Sequence, residues 1–65
     1  MTFIKKNNHY IVYLEYEEVG VISKFPTYGY IFLVHPKSIN DIWQSHELRQ
    51  IADKLDELNG ERNET

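Results

Sequence analysis

The chain contains no cysteine, which excludes disulfide staples, thiolate nucleophiles and thiolate zinc sites together and fits a reducing, cytoplasmic setting. Its three glycines, Gly20, Gly29 and Gly60, stand apart from one another, so there is no glycine-rich loop to cradle a phosphate. Long apolar runs are missing too. The longest, Tyr10 to Leu14 and Tyr30 to Val34, fall far below the roughly 20 residues that a membrane helix requires. Lys5, Lys6, Asn7, Asn8 and His9 interrupt the N-terminus before a signal-peptide core can form. No membrane association is expected. Charge of neither sign dominates: 7 Lys and Arg against 10 Asp and Glu leave a formal -3, too mild for a basic nucleic-acid arm or a polyanionic mimic of DNA.

What is present belongs to a folding chain. Apolar residues at 42% and aromatics at 14% exceed what a disordered segment carries, and 65 residues leave room for one core at most. Composition changes once, near His35-Pro36-Lys37, from β-branched and aromatic residues to a helix-forming run of Leu, Ala, Lys, Glu and Asp. Charge divides at the same point. Residues 1–37 hold four lysines against three glutamates, a net +1, while residues 38–65 hold three bases against seven acids, a net -4.

Alternation and turn chemistry predict strands over 2–6, 10–17, 19–25 and 30–34. Asn7-Asn8 and Pro26-Thr27-Tyr28-Gly29 supply hairpin turns, and a join is expected near Glu18 to Gly20. Leu48, Ile51, Ala52, Leu55 and Leu58 recur at three- and four-residue steps and make the apolar stripe of a helix. Ser45 is placed to cap its start and Gly60 to close its end. Ser38-Ile39-Asn40-Asp41 has the form of a capping box and predicts a short helical turn ahead of Ile42 and Trp43. The expected fold is α+β: a small antiparallel sheet of three or four strands with one C-terminal helix packed on one face, ββββα or βββα. Residues 1–60 make the single domain and 61–65 a disordered acidic tail.

Side chains alternate across a sheet, so Tyr10, Val12, Leu14 and Tyr16 point one way and read as core, while Ile11, Tyr13, Glu15 and Glu17 point the other. On the fourth strand Tyr30, Phe32 and Val34 oppose Ile31 and Leu33, so both sides are apolar there. Ile22, on the side opposite Val21 and Phe25, joins the uncovered set. One helix covers one face only. The leftover apolar face predicts either a homodimer through the sheet or a docking surface for another protein.

Catalytic constellations are wanting. His46-Glu47-Leu48-Arg49-Gln50 opens like a zinc-protease helix but has Gln50 where the second histidine must stand, and His9 and His35 have no ligand partner at metal spacing. Ser23, Ser38 and Ser45 lie in no nucleophile elbow. Paired carboxylates occur, Glu15 with Glu17 and Asp53 with Asp56 and Glu57, but no pocket of useful size is expected from a core this small. No catalytic, cofactor or metal-binding residues are expected, and no cofactor.

These features point to a small non-enzymatic protein-binding module, a regulator or inhibitor of the kind that small bacterial or phage genomes encode, acting by surface occlusion of a partner protein and dimeric on its own. Its contacts are expected at Ile11, Tyr13, Ile22, Ile31 and Leu33, with Glu15 and Glu17 at the rim. The acidic flank Asp53, Asp56 and Glu57 sets orientation against a basic partner surface. The alternative is weak nucleic-acid binding, in which Tyr13, Lys24, Tyr28 and Tyr30 form a stacking surface with Lys5 and Lys6 at its edge.

Overall fold

The computed structural model describes residues 1–39 and 41–60. Four strands, β1 (Thr2–Lys5), β2 (His9–Leu14), β3 (Glu17–Phe25) and β4 (Gly29–Val34), pair in chain order as an antiparallel meander. A single 3-10 turn at Pro36–Ser38 leads to the helix α1 (Ser45–Asn59), which packs against the sheet. The arrangement is the ββββα form of the expected fold. Asn40 of the anticipated capping box, and the tail at 61–65, lie outside the described residues.

Two of the three hairpin turns stand where the turn-forming residues are. Asn7 and Asn8 close β1 onto β2, with the Lys6 N–H donating to the His9 carbonyl at 2.8 Å. Pro26 to Tyr28 close β3 onto β4, and Gly29 takes the left-handed backbone, φ 78°, that starts the last strand. The β2–β3 turn lies earlier than the join expected near Glu18 to Gly20: it is Glu15-Tyr16, with Glu15 at φ 61° and Tyr16 fully exposed rather than in the core. Two-residue hairpins favour a positive φ at the first loop residue because it matches the strand twist. Here a glutamate adopts it, and no glycine or asparagine marks the place.

Beyond that turn the register slips. Val12 pairs with Gly20 but Tyr13 pairs with Glu18, so Val19 is the extra residue of a β-bulge. The bulge reverses which parity faces inward: Val19 and Ile22 are both buried, at 2% and 0% exposure, although one is odd and the other even. Ile22, expected on the uncovered face, is therefore a core residue paired with Tyr10 and Phe32, and Val21 takes the outward position. Gly20 is required beside the bulge. A Cβ there would meet the Leu33 carbonyl oxygen and the edge of the Phe32 ring.

The core is small. Val12, Val19 and Ile22 form its centre, with Phe3, Tyr10, Leu14, Tyr30, Phe32, Trp43, Leu55 and Leu58 packed around them. Full burial of such a side chain contributes about 1.5–3 kcal/mol, so each one carries a sizeable share of a small domain's stability. From α1, Ile51, Leu55 and Leu58 face the sheet, while Leu48 is 52% exposed and Ala52 lies outside. The helix starts one residue earlier than Ser45 implies: Gln44 is the N-cap, and its N–H donates to Glu47 Oε1 at 2.9 Å. Gly60 closes the far end in left-handed geometry, φ 71°, donating to the carbonyls of Asp56 and Glu57. The helical turn anticipated at Ser38 also lies earlier. His35 caps it by accepting the Lys37 N–H at 3.1 Å, and Ser38 ends it, fully buried.

One contact fastens the end of α1 to the edge of the sheet. The Asn59 carboxamide accepts the Tyr30 N–H on Oδ1 at 2.7 Å and donates from Nδ2 to the Tyr30 carbonyl at 3.3 Å. A side chain thereby occupies part of the edge that another strand would otherwise extend.

Candidate functional site

Because α1 packs against the face that holds Val12 and Ile22, no helix covers the opposite face among the described residues. Strand register assembles that face row by row, since residues directly opposite one another project to the same side. Ile4 pairs with Ile11, Ile11 with Val21 and Val21 with Leu33, which makes one aliphatic row across all four strands. His9, Ser23 and Ile31 form the next row, and Thr2, Tyr13 and Glu18 lie on the other side. The edge members Ile4 and Leu33 are 40% and 43% exposed, and Phe25 is 38% exposed at the far end. Four strands at roughly 4.8 Å spacing and six residues at roughly 3.3 Å give a face on the order of 400 Å². The aliphatic row forms the apolar centre of that face, bordered by His9, Ser23, Thr2 and Glu18, and an apolar centre with a polar rim is the form an interaction surface takes.

Of the expected contact residues, the structure brings Ile11, Tyr13, Ile31 and Leu33 together on this face. It does not bring Ile22, which the bulge turns into the core. Glu15 is in the β2–β3 turn, and Glu17 pairs with Leu14, on the side that Leu14 shares with the core. Glu18, opposite Tyr13, is the carboxylate that borders the open face. Asp53, Asp56 and Glu57 belong to α1, across the sheet from the aliphatic row, and Glu57 pairs with Lys54 at 3.6 Å. A single flat partner surface cannot touch both sets. Ile4 and Val21 were missed as members of the row. The Phe3-Ile4 alternation carried a signal for the first, whereas the bulge concealed the second.

The lysine and tyrosine set also divides. Tyr13 is on the open face, Tyr28 is 73% exposed in the β3–β4 turn, and Lys24 pairs with Tyr30 on the helix side. There Tyr10 takes the place foreseen for Tyr13: its ring meets that of Tyr30 edge-on, with centroids 6.3 Å apart and planes at 69°. Lys24 Nζ stands 5.8 Å from the Tyr30 centroid, and Lys54 Nζ stands 5.3 Å from that of Tyr10. Contrary to the expectation that a core this small leaves no pocket of useful size, a cleft of about 530 Å³ lies between the β1–β2 and β3–β4 turns, outside the core. It is lined by Lys5, Tyr10, Lys24, Pro26 and Tyr30 with Asn7, Asn8 and His9.

No helix is long and apolar enough to cross a membrane, and no three His, Asp or Glu side chains converge as a metal site, among the described residues. No protein-family model, no curated protein and no solved structure matches the chain.

Proposed function

We propose that this protein is a non-enzymatic protein-binding module of the cytoplasm, a regulator or inhibitor that acts by covering a surface of its partner. The observation that carries the reading is the aliphatic row Ile4, Ile11, Val21 and Leu33, which crosses all four strands on the face that no helix covers among the described residues and has exposed edge members. Burying such a row against a complementary apolar surface supplies the desolvated centre that interfaces depend on. Glu18 beside Tyr13 fixes polarity, since a partner that ends in a basic residue at that side pairs with it, and the reverse orientation leaves the carboxylate facing apolar surface. In the free protein the same face serves as the seam of a homodimer, two copies shielding each other until a partner displaces one.

The test compares the wild-type chain with Ile11→Lys/Leu33→Lys. Sedimentation equilibrium is expected to give a dimer for the first and a monomer for the second, with unchanged far-UV circular dichroism. Cross-linking from the open face in nuclease-treated lysate is expected to trap one stoichiometric protein with the wild type and none with the variant. A monomeric wild type whose cross-links avoid the open face would overturn the reading. Weak nucleic-acid binding through the β half is the second reading. The observation favouring it is the cleft that gathers Lys5 and Lys24 against two tyrosines.

A further inference from the structure

The cleft runs against the charge of the molecule. The chain as a whole carries more acids than bases, yet the lining holds Lys5, Lys24 and His9 and no carboxylate. Among the described residues the one ion pair joins Lys54 to Glu57, so neither Lys5 nor Lys24 has a carboxylate within ion-pair distance there. Two ammonium groups that line one concavity with no carboxylate partner among the described residues concentrate anions from solution. Its volume, about 530 Å³, lies within the range of small-molecule sites.

The walls differ in kind. On the β1–β2 side stand Lys5, His9 and the amides of Asn7 and Asn8; toward β3 and β4 stand Pro26 and the Tyr30 ring, held edge-on to Tyr10. The C-terminal end of α1 is tied to Tyr30 through Asn59. It brings the partial negative charge of a helix C-terminus to the tyrosine side. An anionic group is thus favoured at Lys5 and a flat neutral ring at Tyr30, with the Lys24 ammonium 5.8 Å from the Tyr30 centroid.

We propose that this cleft binds a nucleotide, its phosphate held by Lys5 and Lys24 and its base laid toward Tyr30 and Pro26. The proposal deepens the second reading of function and stands apart from docking through the open face. Phosphate and base are shared by free nucleotides and single-stranded nucleic acid, and the experiment separates the two sources.

Amide chemical shifts are followed by NMR during titration with 5′-AMP, inorganic phosphate, adenosine and an eight-residue oligouridylate. The expected result with 5′-AMP is saturable movement confined to residues 5–10, 24–26 and 30. Affinity should be at least fivefold above that for inorganic phosphate, the low end of what one base–aromatic contact supplies. Lys5→Glu should weaken binding tenfold or more. Lys6→Glu, next in the chain and exposed but not part of the lining, should weaken it less than twofold. Tenfold tighter binding of the oligonucleotide assigns the site to single strands. The one phosphate held by both lysines then gives a salt slope of about -0.7 and a loss of about 2.6-fold between 50 and 200 mM salt. Equal affinity assigns the site to free nucleotides. Absence of movement at 10 mM 5′-AMP, inorganic phosphate binding as tightly as 5′-AMP, or equal losses in the two lysine variants would each overturn the proposal. Ile11→Lys/Leu33→Lys should bind 5′-AMP as the wild type does, which keeps failure here separate from failure of the docking reading.

Discussion

Replacing Asn59 by alanine tests how the helix is fastened to the sheet. The substitution removes two hydrogen bonds to the Tyr30 backbone, one of 2.7 Å and one of 3.3 Å. A typical intramolecular hydrogen bond contributes about 0.5–1.5 kcal/mol net, and the longer of these lies at the weak end of N–H···O geometry. Losing both costs about 1.5–2 kcal/mol. Alanine recovers about 0.5 kcal/mol of helix propensity, so a net destabilisation of about 1–1.5 kcal/mol is expected. For a chain whose total stability is on the order of 3–5 kcal/mol, that lowers the melting temperature by roughly 4–12 °C. Urea denaturation followed by circular dichroism reads the change as a lower midpoint at constant slope. Gly29 supplies an internal control, because a Cβ at that position would lie 2.5 Å from Asn59 Oδ1 and the backbone there has φ 78°. Gly29→Ala should cost less in the Asn59→Ala background than in the wild type, since the steric part of its penalty has been removed and only the left-handed backbone remains. Equal penalties in both backgrounds, or an Asn59→Ala midpoint indistinguishable from the wild type, would refute the reasoning.

Ile22→Ala should destabilise by about 2–5 kcal/mol, as core truncations do, whereas Leu33→Ala on the open face should cost less than about 1 kcal/mol; comparable urea midpoints would reject the parity assigned to the bulge. Glu15→Asn should raise the melting temperature by several degrees, because asparagine tolerates the positive φ that costs glutamate roughly 1 kcal/mol, and a lower value would argue against the two-residue turn. The Ser38 hydroxyl is buried without a hydrogen-bond partner among the described residues. Ser38→Ala should therefore stabilise by about 1 kcal/mol in the same denaturation assay, and a loss of that size would reveal a partner for the oxygen.

Local chemistry and periodicity determined most of the fold. The 3.6-residue stripe through Ile51, Leu55 and Leu58, the left-handed Gly60, the Asn7-Asn8 and Pro26–Gly29 turns and the alternation in β2 and β4 each act over a few residues, so the sequence alone places them. The open face was legible to the same extent: Ile11, Tyr13, Ile31 and Leu33 share it because alternation within a strand needs no partner to be read.

Tertiary structure decided what depends on a neighbouring strand or on a distant part of the chain. The bulge at Val19 exists only as a mismatch between the β2 and β3 registers, and it moved Ile22 inward and Val21 outward, a reversal that no count along one strand can foresee. Placement of the Glu15-Tyr16 turn follows from the same pairing, since neither residue is a turn former. The division of the acidic helix from the aliphatic face, the gathering of Lys5, Lys24, Tyr10 and Tyr30 around one cleft and the bond from Asn59 to Tyr30, 29 residues apart, all required the helix to be set against one side of the sheet. Sequence specifies such contacts only through the packing of the whole chain, where burial of four apolar side chains decides among registers that are locally equivalent.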